Sequence, residues 1–176
     1  MDINVLISEE ELQKKIAELG ATIRKDYDGK EILLVCVLRG SIMFAADLSR
    51  HLDAATTELE FIEASSYGDG TVSSGNIRIT KDIGCDIKGK NILIVEDIID
   101  TGLTLSFIIE HLAKKEPKSL KVCTLLDKPT RRKVNNINVD YCGFVIPNEF
   151  VVGYGLDFGQ KYRNLNFIGF IENGGA

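Results

Sequence analysis

"ILIVEDIIDTGLTL", running from Ile92 to Leu105, decides how the chain folds. Its first four residues are all apolar, as in a strand covered on both faces. Glu96, Asp97 and Asp100 follow, then a Thr-Gly-x-Thr turn from Thr101 to Thr104, then a run with helical periodicity. The pattern ends the strand at Val95 and places the three acids at its mouth. Unpaired carboxylates beside a low-dielectric interior are unfavourable, so a cation or a hydroxyl-rich ligand is expected to meet them.

Outward from this stretch, strands and helices alternate. Ser8 and Glu11 form an S-x-x-E capping box, and Leu12, Ile16, Leu19, Ile23 and Tyr27 keep helical spacing until Gly29. Gly20 weakens that helix by up to about 1 kcal/mol and is a place where it could split. "EILLVCVL" (Glu31–Leu38) reads as a buried strand and "SIMFAADLSRHL" as a helix. "TELEFIEASSY" alternates like a strand, with Leu59, Ile62 and Ala64 as candidate inward positions. "GDGTVSSGN" (Gly68–Asn76) is a loop, flanked downstream by the strand "NIRIT". After the central stretch come the helix "LTLSFIIEHLAKK" and the strand "SLKVCTLL". The last fifty residues lack a clear helix and suggest short strands over the carboxyl edge of the sheet. The expected class is α/β, a mostly parallel twisted sheet flanked by helices in a single domain, residues 1–176.

Bulk properties narrow the function. At 176 residues, one domain can bury roughly 70% of its unfolded surface. Apolar content of 44% and charged content of 27% fit a soluble globular protein. A net charge of −5 and a pI near 5.1 argue against broad binding to nucleic acid or an anionic membrane. The acidic start lacks the apolar core of a signal peptide, and no apolar run reaches the ~18 residues of a membrane span. A cytoplasmic location is expected. Cys36, Cys85, Cys123 and Cys142 have neither zinc-like spacing nor a secretory context for disulfides, and Cys36 and Cys123 read as small core residues. His51 and His111 fall in expected helices.

In open α/β sheets, ligands bind outside the carboxyl ends of the strands. Two segments qualify, "LRGS" after Leu38 and "EDIIDTGLT" after Val95. In the second, a helix opens at a glycine, so free N–H groups and threonine hydroxyls can hold phosphate. Neither the G-x-x-x-x-G-K-[ST] nor the G-x-G-x-x-G pattern is present. The acids would repel a bare phosphate, but they suit a ribose phosphate that arrives with magnesium. A plainer reading makes Asp100 a helix N-cap and Glu96 and Asp97 solvated loop acids.

The stretch resembles the phosphoribosyl-pyrophosphate signature of type I phosphoribosyltransferases, most closely their hypoxanthine-guanine branch. "VLRGSIMFAADL" is similar to the pyrophosphate loop of that family, and "SSYGDG" to its mobile loop. "LLDKPTRR" is similar to its base-reading lysine segment, and "EFVVGYGLDFGQKYRNL" to its purine-stacking hood. The resemblance implies Asp100 as general base at purine N7, with Glu96 and Asp97 at the ribose hydroxyls, directly or through magnesium. It implies Thr101, Gly102, Leu103 and Thr104 around the 5′-phosphate. Arg39 and Gly40 would line the pyrophosphate site, with a cis peptide between Leu38 and Arg39, and Ser66 and Tyr67 would close over the centre. Lys128 would donate to the 6-oxo group, Phe150 would stack on the base, and the Val151 backbone would read its edge. Asp157 would hold Mg²⁺ and Arg163 would contact pyrophosphate. The hood would comprise mainly residues 128–176 with the N-terminal segment. Leu103 and Glu149 stand where some relatives carry lysine.

The same resemblance implies phosphoribosyl pyrophosphate and a 6-oxopurine as partners, a homodimer or homotetramer, and neither nucleic acid nor membrane. Two other functions fit parts of the pattern. One is an RNA-binding regulator of this fold, for which only "DKPTRRK" is locally basic. The other is a receiver domain, which needs no phosphate cradle or aromatic hood.

Overall fold

A computed structural model of the chain describes residues 3–66 and 76–171. β1 (Ile3–Ile7) leads into α1 (Glu9–Asp26), whose start is set by the expected capping box. The Ser8 hydroxyl accepts from the Glu11 amide, and the Glu11 carboxylate accepts from the Ser8 amide at 2.8 Å. Glu9–Glu11 lie at the positive end of the helix dipole, and Arg24 and Lys25 at its negative end. Gly20 does not split the helix; it lies where α1 crosses the chain just beyond α2.

β2 (Ile32–Leu38) is followed by α2 (Ile42–Ser49), and β3 (Thr57–Ser66) by β4 (Ile77–Lys81). β5 (Asn91–Ile99) runs into α3 (Leu103–Ala113), then β6 (Ser119–Asp127), a 3₁₀ turn at Pro129–Arg131, β7 (Tyr141–Val145), β8 (Val151–Val152) and β9 (Ile168–Ile171). The main sheet has the order β4-β3-β2-β5-β6-β7 and is parallel except for the β3–β4 edge. A second, antiparallel sheet has the order β1-β9-β8, so the N-terminal strand packs with the C-terminal ones.

The two-residue period of a strand explains the continuous apolar runs. Leu34, Cys36, Leu93 and Val95 join Leu12, Ile16, Phe44 and Leu48 of α1 and α2 in one core. Their neighbours Leu33, Val35, Ile92 and Ile94 join Ile108 and Leu112 of α3 in the other. Each such side chain contributes roughly 1.5–3 kcal/mol by burial. No helix among the described residues is long and apolar enough to cross a membrane.

Three expectations are corrected. β5 continues past Val95 to Ile99, because Glu96 and Ile98 keep pairing with Thr124 and Leu126 of β6. Leu59 is half-exposed whereas Ile62 is buried; three residues apart, they cannot share a strand face. His51 lies just beyond α2, outside any helix. Cys36 and Cys123 are core residues, and burial pushes the Cys36 thiol up to about 11, away from reactivity.

A methyl at Gly20 would lie 2.3 Å from His51 Cβ. Gly20→Ala should therefore lower stability by roughly 1–2 kcal/mol in urea unfolding, although alanine is the better helix former. A more stable variant would show that α1 does not press on this point.

Candidate active site

The loop after β2, the end of β5 and the loop after β8 meet, and glycine lets them meet. A Cβ on Gly40 would fall 1.7 Å from Asp97 Oδ2, and one on Gly155 would fall 1.9 Å from the Gly40 carbonyl oxygen. Three chain segments far apart in sequence thus interlock around Asp97. The peptide between Leu38 and Arg39 is cis, as expected.

The acids differ in setting. Glu96 is buried, and burial followed by the adjacent Asp97 charge pushes its carboxyl well above the usual carboxylate range. Burial also raises Asp97, opposed by the Ile98 amide, which donates to it at 2.8 Å, and by the nearby Arg163 charge. Asp100 is more open and pairs with Arg131 at 2.9 Å. It does not cap α3: the N-cap is Gly102, left-handed at φ 81°, with no side-chain cap bond. The plainer reading of Asp100 therefore fails. Thr101 stands just outside the helix, its hydroxyl 3.4 Å from the Leu103 amide, while Leu103 and Thr104 form the first turn. A Cβ on Gly102 would press on Ile137 and Val134 at 2.8 and 2.9 Å.

The segment after β6 is laced to this turn. The Lys128 amide donates to the Ile99 carbonyl and the Lys133 amide to the Thr101 carbonyl, both at 2.9 Å. Lys128 is buried, and its ammonium donates to the Glu149 carbonyl at 2.6 Å. Burial pulls its pKa below the ordinary lysine value. Beyond Glu149, Phe150 is 45% exposed, with its ring edge-on to Phe158 at 5.7 Å, while Val151 is buried in β8. An exposed aromatic beside a buried ammonium is a surface for a flat polar ring.

Asp157 pairs with Arg163 at 2.9 Å, and Arg163 also donates to the Gly155 carbonyl at 2.7 Å. Arg39 is largely exposed and reaches Glu63 at 3.4 Å. Ser66 is exposed at the end of β3; Tyr67 and the rest of the 67–75 loop lie outside the described residues. Among the described residues, no three His, Cys, Asp or Glu side chains gather into a ready-made metal cage. Glu96, Asp97 and Asp157 are hard oxygen donors, suited to an ion that takes its other ligands from a substrate. The sequence reading missed Gly155, Tyr154 and Arg131. The Gly-Tyr-Gly spacing at 153–155 was the available signal for the first two, and Arg131 had none.

The model of the phosphoribosyl transferase domain matches residues 7–159, most of the chain. The chain belongs to the phosphoribosyl transferase family. Within it, the chain is 53% identical over 170 residues to a hypoxanthine phosphoribosyltransferase of Haemophilus influenzae, covering 95% of this chain and 94% of that protein. It is 50% identical over 168 residues to a hypoxanthine-guanine phosphoribosyltransferase of Bacillus subtilis, covering 96% and 92%. A crystal structure of a hypoxanthine-guanine phosphoribosyltransferase from Bacillus anthracis superposes with a TM-score of 0.91 at 52% identity, covering 97% of this chain and all of that one. The chain spans only 26% of the length of the bifunctional TilS/HprT proteins of Listeria, to which it is about half identical.

In this phosphoribosyl transferase domain, Gly40→Ala must displace either Asp97 or the 39–41 loop. It should lower kcat/KM at least about tenfold with an unchanged circular dichroism spectrum, since misplacements of an ångström weigh heavily in such sites. Wild-type activity would show that the close approach does no work.

Proposed function

We propose that the protein transfers the 5-phosphoribosyl group from phosphoribosyl pyrophosphate to N9 of hypoxanthine or guanine, releasing IMP or GMP and pyrophosphate. The observation that carries this reading is the 2.9 Å bond from the Lys128 amide to the Ile99 carbonyl, which holds the backbone of Lys128 next to that of Asp100, whose charge acts on the buried Lys128 ammonium. One group suits a 6-oxo acceptor and the other a proton at purine N7, on neighbouring edges of one base.

The remaining roles are those that the family resemblance implies. Thr101, Gly102, Leu103 and Thr104 hold the 5′-phosphate through amides at the start of α3 and the threonine hydroxyls. Glu96 and Asp97 accept from the ribose 2′- and 3′-hydroxyls, and their charge tolerates the positive character that develops on the sugar. Arg39, Gly40 and Arg163 receive the pyrophosphate. Phe150 stacks on the purine while the Val151 backbone reads its edge. Ser66, at the end of β3, shields the reacting carbon from water. Asp157, with Glu96 and Asp97, would hold Mg²⁺, which when bound neutralises charge on the leaving group. The sheet of β1, β8 and β9, with the loops after β6, acts as the hood of a single domain.

The RNA-binding alternative draws little support, because Arg131 and Arg132 of "DKPTRRK" are engaged by Asp100 and Asp127. A homodimer or homotetramer in the cytoplasm fits the exposed apolar Ile42, Met43 and Leu59, which a second copy would cover.

Steady-state rates with phosphoribosyl pyrophosphate, magnesium and each of hypoxanthine, guanine, xanthine and adenine test the reading. The amino group of adenine would point its hydrogens at the Lys128 ammonium, so its kcat/KM should be about 10⁴-fold below that of hypoxanthine. In the same assay Asp100→Asn should lower kcat by roughly 10²–10⁴ and leave phosphoribosyl pyrophosphate binding nearly intact. Comparable rates on adenine and hypoxanthine would overturn the 6-oxopurine assignment.

A further inference from the structure

Tyr154 stands between two glycines at positive φ, Gly153 at 98° and Gly155 at 101°, and itself adopts φ 50°. A bulky residue rarely holds that conformation unless its surroundings impose it. Here the ring is buried, and the hydroxyl donates to Asp47 Oδ2 on α2. Gln13 of α1 donates to the same oxygen at 3.1 Å, and Arg50 donates to Asp47 Oδ1 at 2.7 Å. One carboxylate therefore joins α1, α2 and the loop that begins after β8.

The backbone around Tyr154 is pinned from the other side. Its amide donates to the Leu165 carbonyl at 3.0 Å, and the Gly155 amide donates to the Arg163 carbonyl at 2.8 Å. Gly155 then presses on the Gly40 carbonyl, and Gly40 on Asp97. A line of contact thus runs from Asp47 through Tyr154, Gly155 and Gly40 to the acid pair. α2 begins at Ile42, two residues after Gly40, and carries Asp47, so the segment that holds one end of that line leads directly into the helix that holds the other.

We propose that Tyr154 and Asp47 are positioning residues, a latch that fixes the spacing between the 39–41 loop and the 155–163 segment. Affinity for the pyrophosphate moiety would then depend on two side chains outside its contact shell. This rests on the assignment of both loops to pyrophosphate. The latch acts on ground-state binding of that moiety, so it should appear in the KM for phosphoribosyl pyrophosphate and hardly in kcat.

The test uses the whole chain. Tyr154→Phe removes one hydroxyl from a bond to a carboxylate and should raise the KM for phosphoribosyl pyrophosphate roughly 5–30-fold, with kcat within about threefold. Calorimetry with inorganic pyrophosphate and magnesium should show a similar loss of affinity. Asp47→Asn keeps an acceptor oxygen and should lie closer to wild type than Asp47→Ala on both readouts. Arg50→Ala, which removes only the solvent-side partner of Asp47, should behave as wild type. A Tyr154→Phe protein with a lower melting temperature but unchanged KM and pyrophosphate affinity would overturn the latch alone. If the unmodified protein binds no magnesium pyrophosphate, the assignment of the loops fails and the latch with it.

Discussion

Two adjacent carboxylates in an apolar setting constrain everything around them. Glu96 and Asp97 belong to a strand whose preceding residues, Ile92 to Val95, are fully buried. Burial raises both groups, and the Asp97 charge raises Glu96 further, so the folded chain holds charge there at a cost to its own stability. The neighbouring loops are built without side chains where they approach this pair, at Gly40 and Gly155, and they bring Arg163 near it. Unfavourable charge concentrated at a sheet's carboxyl end suits a binding site for a hydroxylated, metal-bearing ligand.

The fold supplies rigidity where the site needs it. β5 lies in the middle of a parallel sheet with α2 on one face and α3 on the other, so the acids sit on one of the best-buried strands. Bonds from the 128–133 segment to Ile99, Asp100 and Thr101 then fix three consecutive residues of the turn. The Arg131 pairing is partly exposed and therefore weak, so it leaves Asp100 available to another partner.

Much of this was legible in the sequence. Ser8 and Glu11 announced α1, and the unbroken apolar runs at Ile32–Leu38 and Ile92–Val95 announced central strands. The clustered acids before Thr101 marked the site. What failed did so for physical reasons. A strand whose last residues serve a ligand looks like a loop by hydropathy, so β5 was read four residues short. Leu59 was misplaced because hydrophobicity outweighed strand parity. The Tyr154–Asp47 bond and the Gly155–Gly40 contact join residues more than a hundred positions apart, and no local window reports them. The 67–75 loop, with Tyr67, lies outside the described residues.

The central claim is that the Glu96–Asp97 charge is kept for a ligand and against stability. The most direct measurement compares the unmodified protein with the Glu96→Gln, Asp97→Asn double variant, by thermal melting and by calorimetric binding of phosphoribosyl pyrophosphate with magnesium. Both amides preserve shape and acceptor oxygens while removing the buried charge. The account predicts a higher melting temperature in the absence of ligand and affinity at least about 100-fold weaker, since charge-assisted bonds to the ribose hydroxyls and metal are lost. A lower melting temperature with affinity retained would contradict it.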